Sequence, residues 1–171
     1  MSKRDLLSIT DLASEELRKV LERAAEFKNG AESNALAGKS VALLFEKPSL
    51  RTKLSFDLAI YQLGGHPIYF SPDEVGLGKR EPVADVAHVL ERQVDCLMAR
   101  TFSHTTLEEL AANASVPIVN ALSDTEHPCQ ALADLLTIRE QVGDFRERNI
   151  AFIGDGNNYM MRKLNKMRNL N

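Results

Sequence analysis

Residues 41–53 read Val41-Ala42-Leu43-Leu44-Phe45-Glu46-Lys47-Pro48-Ser49-Leu50-Arg51-Thr52-Lys53, an apolar run that passes through a proline into a turn rich in hydroxyls and cations. The run is short enough for a buried strand, and the turn opens a helix that Gly64-Gly65 stops. Along that helix Leu54, Leu58 and Tyr61 recur at helical spacing and are expected to form its packing face. A helix start carries unpaired N–H groups and a partial positive charge, and Ser49, Arg51, Thr52 and Lys53 add donors at the same point. Phosphate is the natural guest of such a turn. The plain alternative makes Ser49 an ordinary N-cap and Arg51 and Lys53 a solvated first turn.

Working outward, Ser14-Glu15-Glu16 reads as the cap of a helix with Leu17, Val20, Leu21, Ala24 and Ala25 on one face, ending at Lys28-Asn29-Gly30 and expected to pack on a sheet. Beyond the opening stretch, strands are read at 66–70, 94–99, 116–119 and 149–153, with helices at about 83–93, 106–113 and 128–142. Pro128 suits a first helical position, which makes His127 the cap. Residues 71–82 hold Pro72, Gly76, Gly78, Lys79 and Arg80 and read as an exposed, mobile loop; its cations either reach a neighbouring subunit or are simply solvated. Strands and helices alternate, so the expected fold is α/β, a parallel sheet with helices on both faces. Residues 1–145 make that domain, and 146–171 read as the first strand of a second α/β domain followed by a basic tail.

Composition bounds the function. Of 171 residues, 44% are hydrophobic and 26% charged, which suits a folded globular chain. A net charge of −3 gives no basic footprint, so nucleic acid is not an expected partner and a phosphate ligand should be small and locally held. No apolar stretch is long enough to span a bilayer, and Met1-Ser2-Lys3-Arg4-Asp5 does not lead into a signal-peptide core, so no membrane is expected and the cytoplasm is the expected compartment. Cys96 and Cys129 lack metal-ligand spacing and read as reduced thiols.

In an open parallel sheet, ligands sit beyond the carboxyl ends of the strands. Three polar clusters fall there: residues 49–53, Arg100-Thr101, and His127-Pro128-Cys129-Gln130. Each has a bland alternative, Arg100 as a surface ion-pair residue and His127 as a structural cap, but their convergence on one edge favours a single site. His127 and Gln130 at i, i+3 are expected to share a helix face and approach one ligand, the glutamine suiting an amide and His127 and Arg100 a carbonyl oxygen. A ligand with phosphate at one end and a carbamoyl group at the other would use all of them. No activated nucleophile, carboxylate pair or metal cage is visible in the sequence, so positioning and oxyanion stabilisation are the expected means of catalysis.

These residues resemble the ornithine carbamoyltransferases. Ser49-Leu50-Arg51-Thr52 is similar to that family's Ser-Thr-Arg-Thr phosphate motif, Ala99-Arg100-Thr101-Phe102-Ser103-His104 to its carbonyl-binding segment, and His127-Pro128-Cys129-Gln130-Ala131-Leu132-Ala133-Asp134 to its most diagnostic stretch. Gly154-Asp155-Gly156-Asn157-Asn158 matches as well, and the resemblance runs from about residue 4 to 158. It implies that Ser49, Leu50 through its backbone N–H, Arg51, Thr52 and Arg100 bind the phosphate of carbamoyl phosphate. It further implies that Thr52, Arg100 and His127 polarise the carbonyl, that Gln130 holds the amide, and that Asn158 begins the L-ornithine site. The implied reaction gives citrulline and phosphate without a cofactor, in a homotrimer. Gly76 stands where many relatives carry a glutamine that reaches the adjacent subunit, so that contact is expected only if Lys79 or Arg80 takes the role.

After Asn158 the chain reads Tyr-Met-Met-Arg-Lys-Leu-Asn-Lys-Met-Arg-Asn-Leu-Asn, with Arg162, Lys163, Lys166 and Arg168 and no acid. The family would continue into a second domain, so a shortened chain with an incomplete ornithine site, inactive or weakly active alone, is expected. Competing readings are a carbamoyl-phosphate-binding or subunit-interaction fragment without catalysis, and a transcarbamoylase for another amine such as putrescine. A dinucleotide site at Gly154-Asp155-Gly156 is disfavoured because Tyr159 stands where its fingerprint wants glycine.

Overall fold

The computed structural model describes residues 3–143. Strand β1 (Ser40–Phe45) is followed by helix α2 (Leu50–Gln62) and strand β2 (His66–Phe70); helix α1 (Ser14–Lys28) precedes them. Then come α3 (Pro72–Val75), α4 (Val83–Leu90), β3 (Cys96–Arg100), α5 (His104–Asn113), β4 (Ile118–Leu122) and α6 (Pro128–Val142). The four strands form one parallel sheet in the order β2-β1-β3-β4. The chain winds outward from β1 to β2, then returns to place β3 on the other side of β1. The strand order therefore reverses between β1 and β3, and the crevice at their carboxyl ends is where such sheets bind ligands.

Alternation along β1 supplies both faces of the core. Ala42 and Leu44 pack with Val83 and Ala87 of α4 and Leu107 and Leu110 of α5, while Val41, Leu43 and Phe45 pack with Ile60 of α2 and Met98. All five of these β1 residues are buried. Helices thus cover both faces, as the alternation of elements requires.

Several local expectations change. The α2 side chains turned inward are Ile60 and the half-buried Phe56, whereas Leu54, Leu58 and Tyr61 are 54%, 46% and 72% exposed. This helix carries two apolar stripes, and periodicity alone does not say which one meets the sheet. Helix α1 packs Leu17 and Leu21 on Ala131 and Leu135 of α6 rather than on the sheet, and Val20 is exposed. Its N-cap is Ala13, whose N–H donates to Glu16 at 2.8 Å, so Ser14 is the first helical residue rather than the cap. Residues 71–82 are folded: the Glu74 carboxylate accepts from the Ser71 N–H and hydroxyl at 2.7 Å each, Gly76 closes α3 at φ +48°, and Leu77 is buried in the core. Strand β4 begins at Ile118 and continues through Leu122, so Asn120, placed by sequence in the exit loop, is a fully buried strand residue. The strand read at 149–153, the 154–158 motif with Asn158, and the basic tail lie outside the described residues.

Candidate functional site

Phe45 pairs in register with Arg100, so β1 and β3 end side by side at the reversal point. From β1 the chain turns at Ser49, whose extended backbone starts α2 and whose hydroxyl accepts from the Thr52 N–H. The Ser49 hydroxyl also donates to Thr52 Oγ1 at 2.9 Å. From β3, Arg100 extends its guanidinium to the same oxygen, with Nη1 3.4 Å from Thr52 Oγ1. Ser49 is therefore an N-cap, as the plain alternative has it, and also the first link of a chain that joins the helix start to Arg100.

Arg100 Nε is buried and has no hydrogen-bond partner among the described residues. Burial lowers the guanidinium's pKa from its ordinary value, yet an arginine stays charged in proteins, so the site holds a partly desolvated cation with a donor to spare. A second cation stands near it: Lys47 Nζ lies 5.3 Å from the centroid of the exposed Phe102 ring, and its pKa is lowered by burial and by the charge of Arg100. The β3 exit is pinned by Glu46, whose carboxylate accepts from the Phe102 N–H at 2.7 Å, and the start of α5 by Asp124, which accepts from the His104 N–H at 2.8 Å.

His127 is the N-cap of α6, with φ −141° and ψ 75°. Burial first, and then the Arg100 charge, push its pKa down to about 4, so the imidazole is neutral at physiological pH and carries one ring N–H. His127 and Gln130 are the N-cap and N3 positions of α6 and stand at the same helix start. Gln130 is exposed and donates along α6 to Asp134 at 2.9 Å.

The structure thus brings Ser49, Thr52 and Arg100 into one hydrogen-bonded chain and places His127 within the field of Arg100. Leu50 is 82% exposed and Arg51 is also exposed at the start of α2, while Lys53 Nζ lies 3.5 Å over the Tyr69 ring. Glu46 and Lys47, to which the sequence reading gives no role, lie beside the β3 exit at Arg100. Burial raises the Cys96 and Cys129 thiols to about 11, which leaves both as poor nucleophiles. Among the described residues no group of three His, Cys, Asp or Glu could hold a metal ion, and no helix is long and apolar enough to cross a membrane.

Residues 4–140 match the family described as aspartate/ornithine carbamoyltransferase, carbamoyl-P binding domain. The ornithine carbamoyltransferase of Haloquadratum walsbyi is 48% identical over 154 residues, covering 90% of this chain and 51% of that protein. That of Methanocaldococcus jannaschii is 50% identical over 155 residues, with the same coverage, 90% and 51%. The structure of the Pyrococcus furiosus ornithine carbamoyltransferase superposes with a TM-score of 0.89 at 43% identity, covering 95% of this chain and 54% of that one. That from Thermus thermophilus gives 0.87 at 48% identity, with 94% and 56% covered. The chain spans about half the length of the curated relatives it matches.

Proposed function

Because the chain belongs to the aspartate/ornithine carbamoyltransferase family through its carbamoyl-phosphate-binding domain, we propose that it carries the carbamoyl phosphate site of an ornithine carbamoyltransferase. The observation that carries this reading is the Ser49–Thr52–Arg100 chain at the β1/β3 reversal, with a buried Arg100 N–H left over. The phosphate takes the α2 start, where Ser49, Leu50 N–H, Arg51 and Thr52 converge, and Arg100 bridges it to the carbonyl oxygen. Thr52, Arg100 and neutral His127 donate to that oxygen as negative charge develops on it. Gln130 leaves Asp134 to hold the carbamoyl amide.

The proposed reaction is attack of the L-ornithine δ-amine on the carbonyl carbon. The C–O bond to phosphate breaks, the amine loses a proton, and citrulline and phosphate result; no cofactor enters the balance. Residues 1–145 form the carbamoyl phosphate domain in this reading, residue 146 onward begins the ornithine-binding part, and Asn158 is its first contact. The enzyme is placed in the cytoplasm as a homotrimer. An apolar stripe supports a contact between copies: Leu50, Leu54, Leu58 and Tyr61 follow one another at i, i+4, i+8 and i+11, all exposed. The same exposed stripe on α2 favours a second reading, a carbamoyl-phosphate-binding module that joins subunits without catalysis.

Titration of the full chain with carbamoyl phosphate in a thermal-shift assay tests the shared core of both readings. A shift that Arg51→Ala abolishes is expected, and the absence of any shift at millimolar ligand refutes it. Citrulline formation with ornithine, and with putrescine as the competing amine, then separates the enzyme from the binding module.

A further inference from the structure

Glu126 precedes His127 and is 2% exposed, and it is bonded at its side chain, amide and carbonyl. Its carboxylate Oε1 accepts from the Ser8 hydroxyl at 3.0 Å. Its N–H donates to Ser123 Oγ at 3.2 Å, and its carbonyl accepts from the Ser123 N–H at 2.9 Å. The same carbonyl lies 3.3 Å from Nδ2 of Asn120, which is fully buried on β4 and also donates to the Leu7 carbonyl at 2.8 Å. The amino-terminal segment is in turn tied to the edge of β4. Leu6 N–H donates to the Ile118 carbonyl at 2.9 Å, Asn120 N–H to the Leu6 carbonyl at 2.9 Å, and Asp5 Oδ1 accepts from the Ile118 N–H at 2.8 Å.

This arrangement has one chemical consequence. His127 is the N-cap of α6, so its backbone position is set by the residues on either side. Pro128 fixes φ on one side. On the other side Glu126 is anchored at its side chain, its amide and its carbonyl. Asn120 is the hub, since one amide group links the strand, the amino-terminal segment and the residue before His127. Its Oδ1 is buried with no hydrogen-bond partner among the described residues, so an asparagine here costs stability on its acceptor side while its donor side closes the clamp.

We propose that Asn120 and Glu126 are positioning residues for His127, locking the β4 exit loop onto residues 6–8 and so aiming the imidazole at the ligand's carbonyl beside Arg100. The proposal rests on the carbamoyl phosphate reading of the site. It also makes the clamp felt by the carbamoyl end of the ligand and not by the phosphate end.

The test compares carbamoyl phosphate with inorganic phosphate by calorimetry in the full chain, and follows the His127 ring titration by NMR. Asn120→Leu keeps the shape and removes the donors; Ser8→Ala removes the hydroxyl that donates to Glu126 and accepts from the Thr10 N–H, and serves if the first variant does not fold. Both changes are electrically neutral, so Arg100 and Asp134, the charged groups that act on His127, are unaltered. The expected result is carbamoyl phosphate affinity about tenfold lower with phosphate affinity unchanged, and a His127 pKa that climbs from about 4 toward the ordinary histidine value. Glu126→Gln, which still accepts from Ser8, retains the wild-type preference, and Glu126→Ala loses it. Equal loss of both ligands, or no change in either, overturns the proposal. If the wild-type chain itself shows no preference for carbamoyl phosphate, the reading of the site fails. The clamp is then judged on the ring alone, and an unmoved His127 pKa in both neutral variants refutes it.

Discussion

Replacing Arg100 by methionine should move two measurements in opposite directions. In the free chain the guanidinium is partly desolvated, its Nε is buried without a partner among the described residues, and its bond to Thr52 Oγ1 is long at 3.4 Å. An unsatisfied buried donor costs about 1–3 kcal/mol, whereas a bond of that length returns little. Methionine fills similar volume without a polar group, so the free variant should be as stable as the wild type or more so by about 1 kcal/mol, roughly 2–4 °C in Tm. With ligand the sign reverses. A charge-assisted contact is worth about 1.5–3 kcal/mol, so its loss weakens affinity by roughly 10- to 150-fold. At a ligand concentration near 100 times the wild-type Kd, the wild type gains about 2.7 kcal/mol and a variant weakened about 100-fold gains only about 0.4 kcal/mol. Differential scanning fluorimetry with and without carbamoyl phosphate reads both. Arg100→Lys, which keeps the charge and loses the planar fork, should fall between them. A free variant that melts several degrees lower, or one that keeps the full ligand shift, refutes the assignment of Arg100 to the anion.

Three other outcomes follow from the geometry. The His127 pKa is about 4 in the folded chain because of burial and Arg100, against about 6.5 unfolded, so the unfolded chain takes up the proton first as pH falls. Stability from this group is full above pH 6.5 and declines toward pH 4, by about 1–2 kcal/mol after screening of the half-buried ring, and urea unfolding should show that decline shrinking in His127→Gln. Gly76→Ala should destabilise by about 1–2 kcal/mol in the same assay, since φ is +48° and the new Cβ would sit 2.9 Å from Arg80 Cβ. The double change Leu54→Ser and Leu58→Ser, on exposed positions, should leave Tm within a few degrees and lower the sedimenting mass if the stripe joins copies; an unchanged mass would remove α2 from any interface.

The strand-to-helix turn and the three clusters were legible because each sits at a strand end, and strand ends of a parallel sheet share one edge. Periodicity placed β1, α2, β3 and α6 closely, since their apolar runs are bounded by Pro, Gly or a hydroxyl cap. It failed where a helix has two apolar stripes, as at Leu54 and Leu58 against Phe56 and Ile60. It also failed where an element packs on another helix, as α1 does on α6. Residues 71–82 looked mobile because Gly and Pro are read as punctuation, although the same residues cap α3 and turn Leu77 into the core. Asn120 was invisible for a different reason. A polar residue beside a turn reads as loop, and nothing local in the sequence tells that residues 6–8, more than a hundred positions earlier, supply its acceptor.

Arg100 and Asn120 share a property that separates the site from the rest of the core. Each holds a buried polar atom without a partner among the described residues, Nε in one and Oδ1 in the other, with Arg100 at the carboxyl end of β3 and Asn120 in the middle of β4. The sheet centre around Leu43 and Leu97 is wholly apolar and tolerates no such cost. The two orphaned atoms differ in what would satisfy them. Arg100 Nε is a donor on a cation and is completed by an anion, so its cost is recovered on binding. Asn120 Oδ1 is an acceptor, and its cost stands in both states, offset by the bonds its Nδ2 makes to Leu7 and Glu126. Ligand should therefore relieve the penalty at Arg100 and leave that at Asn120 untouched. That makes the first a binding group and the second part of the frame that aims one.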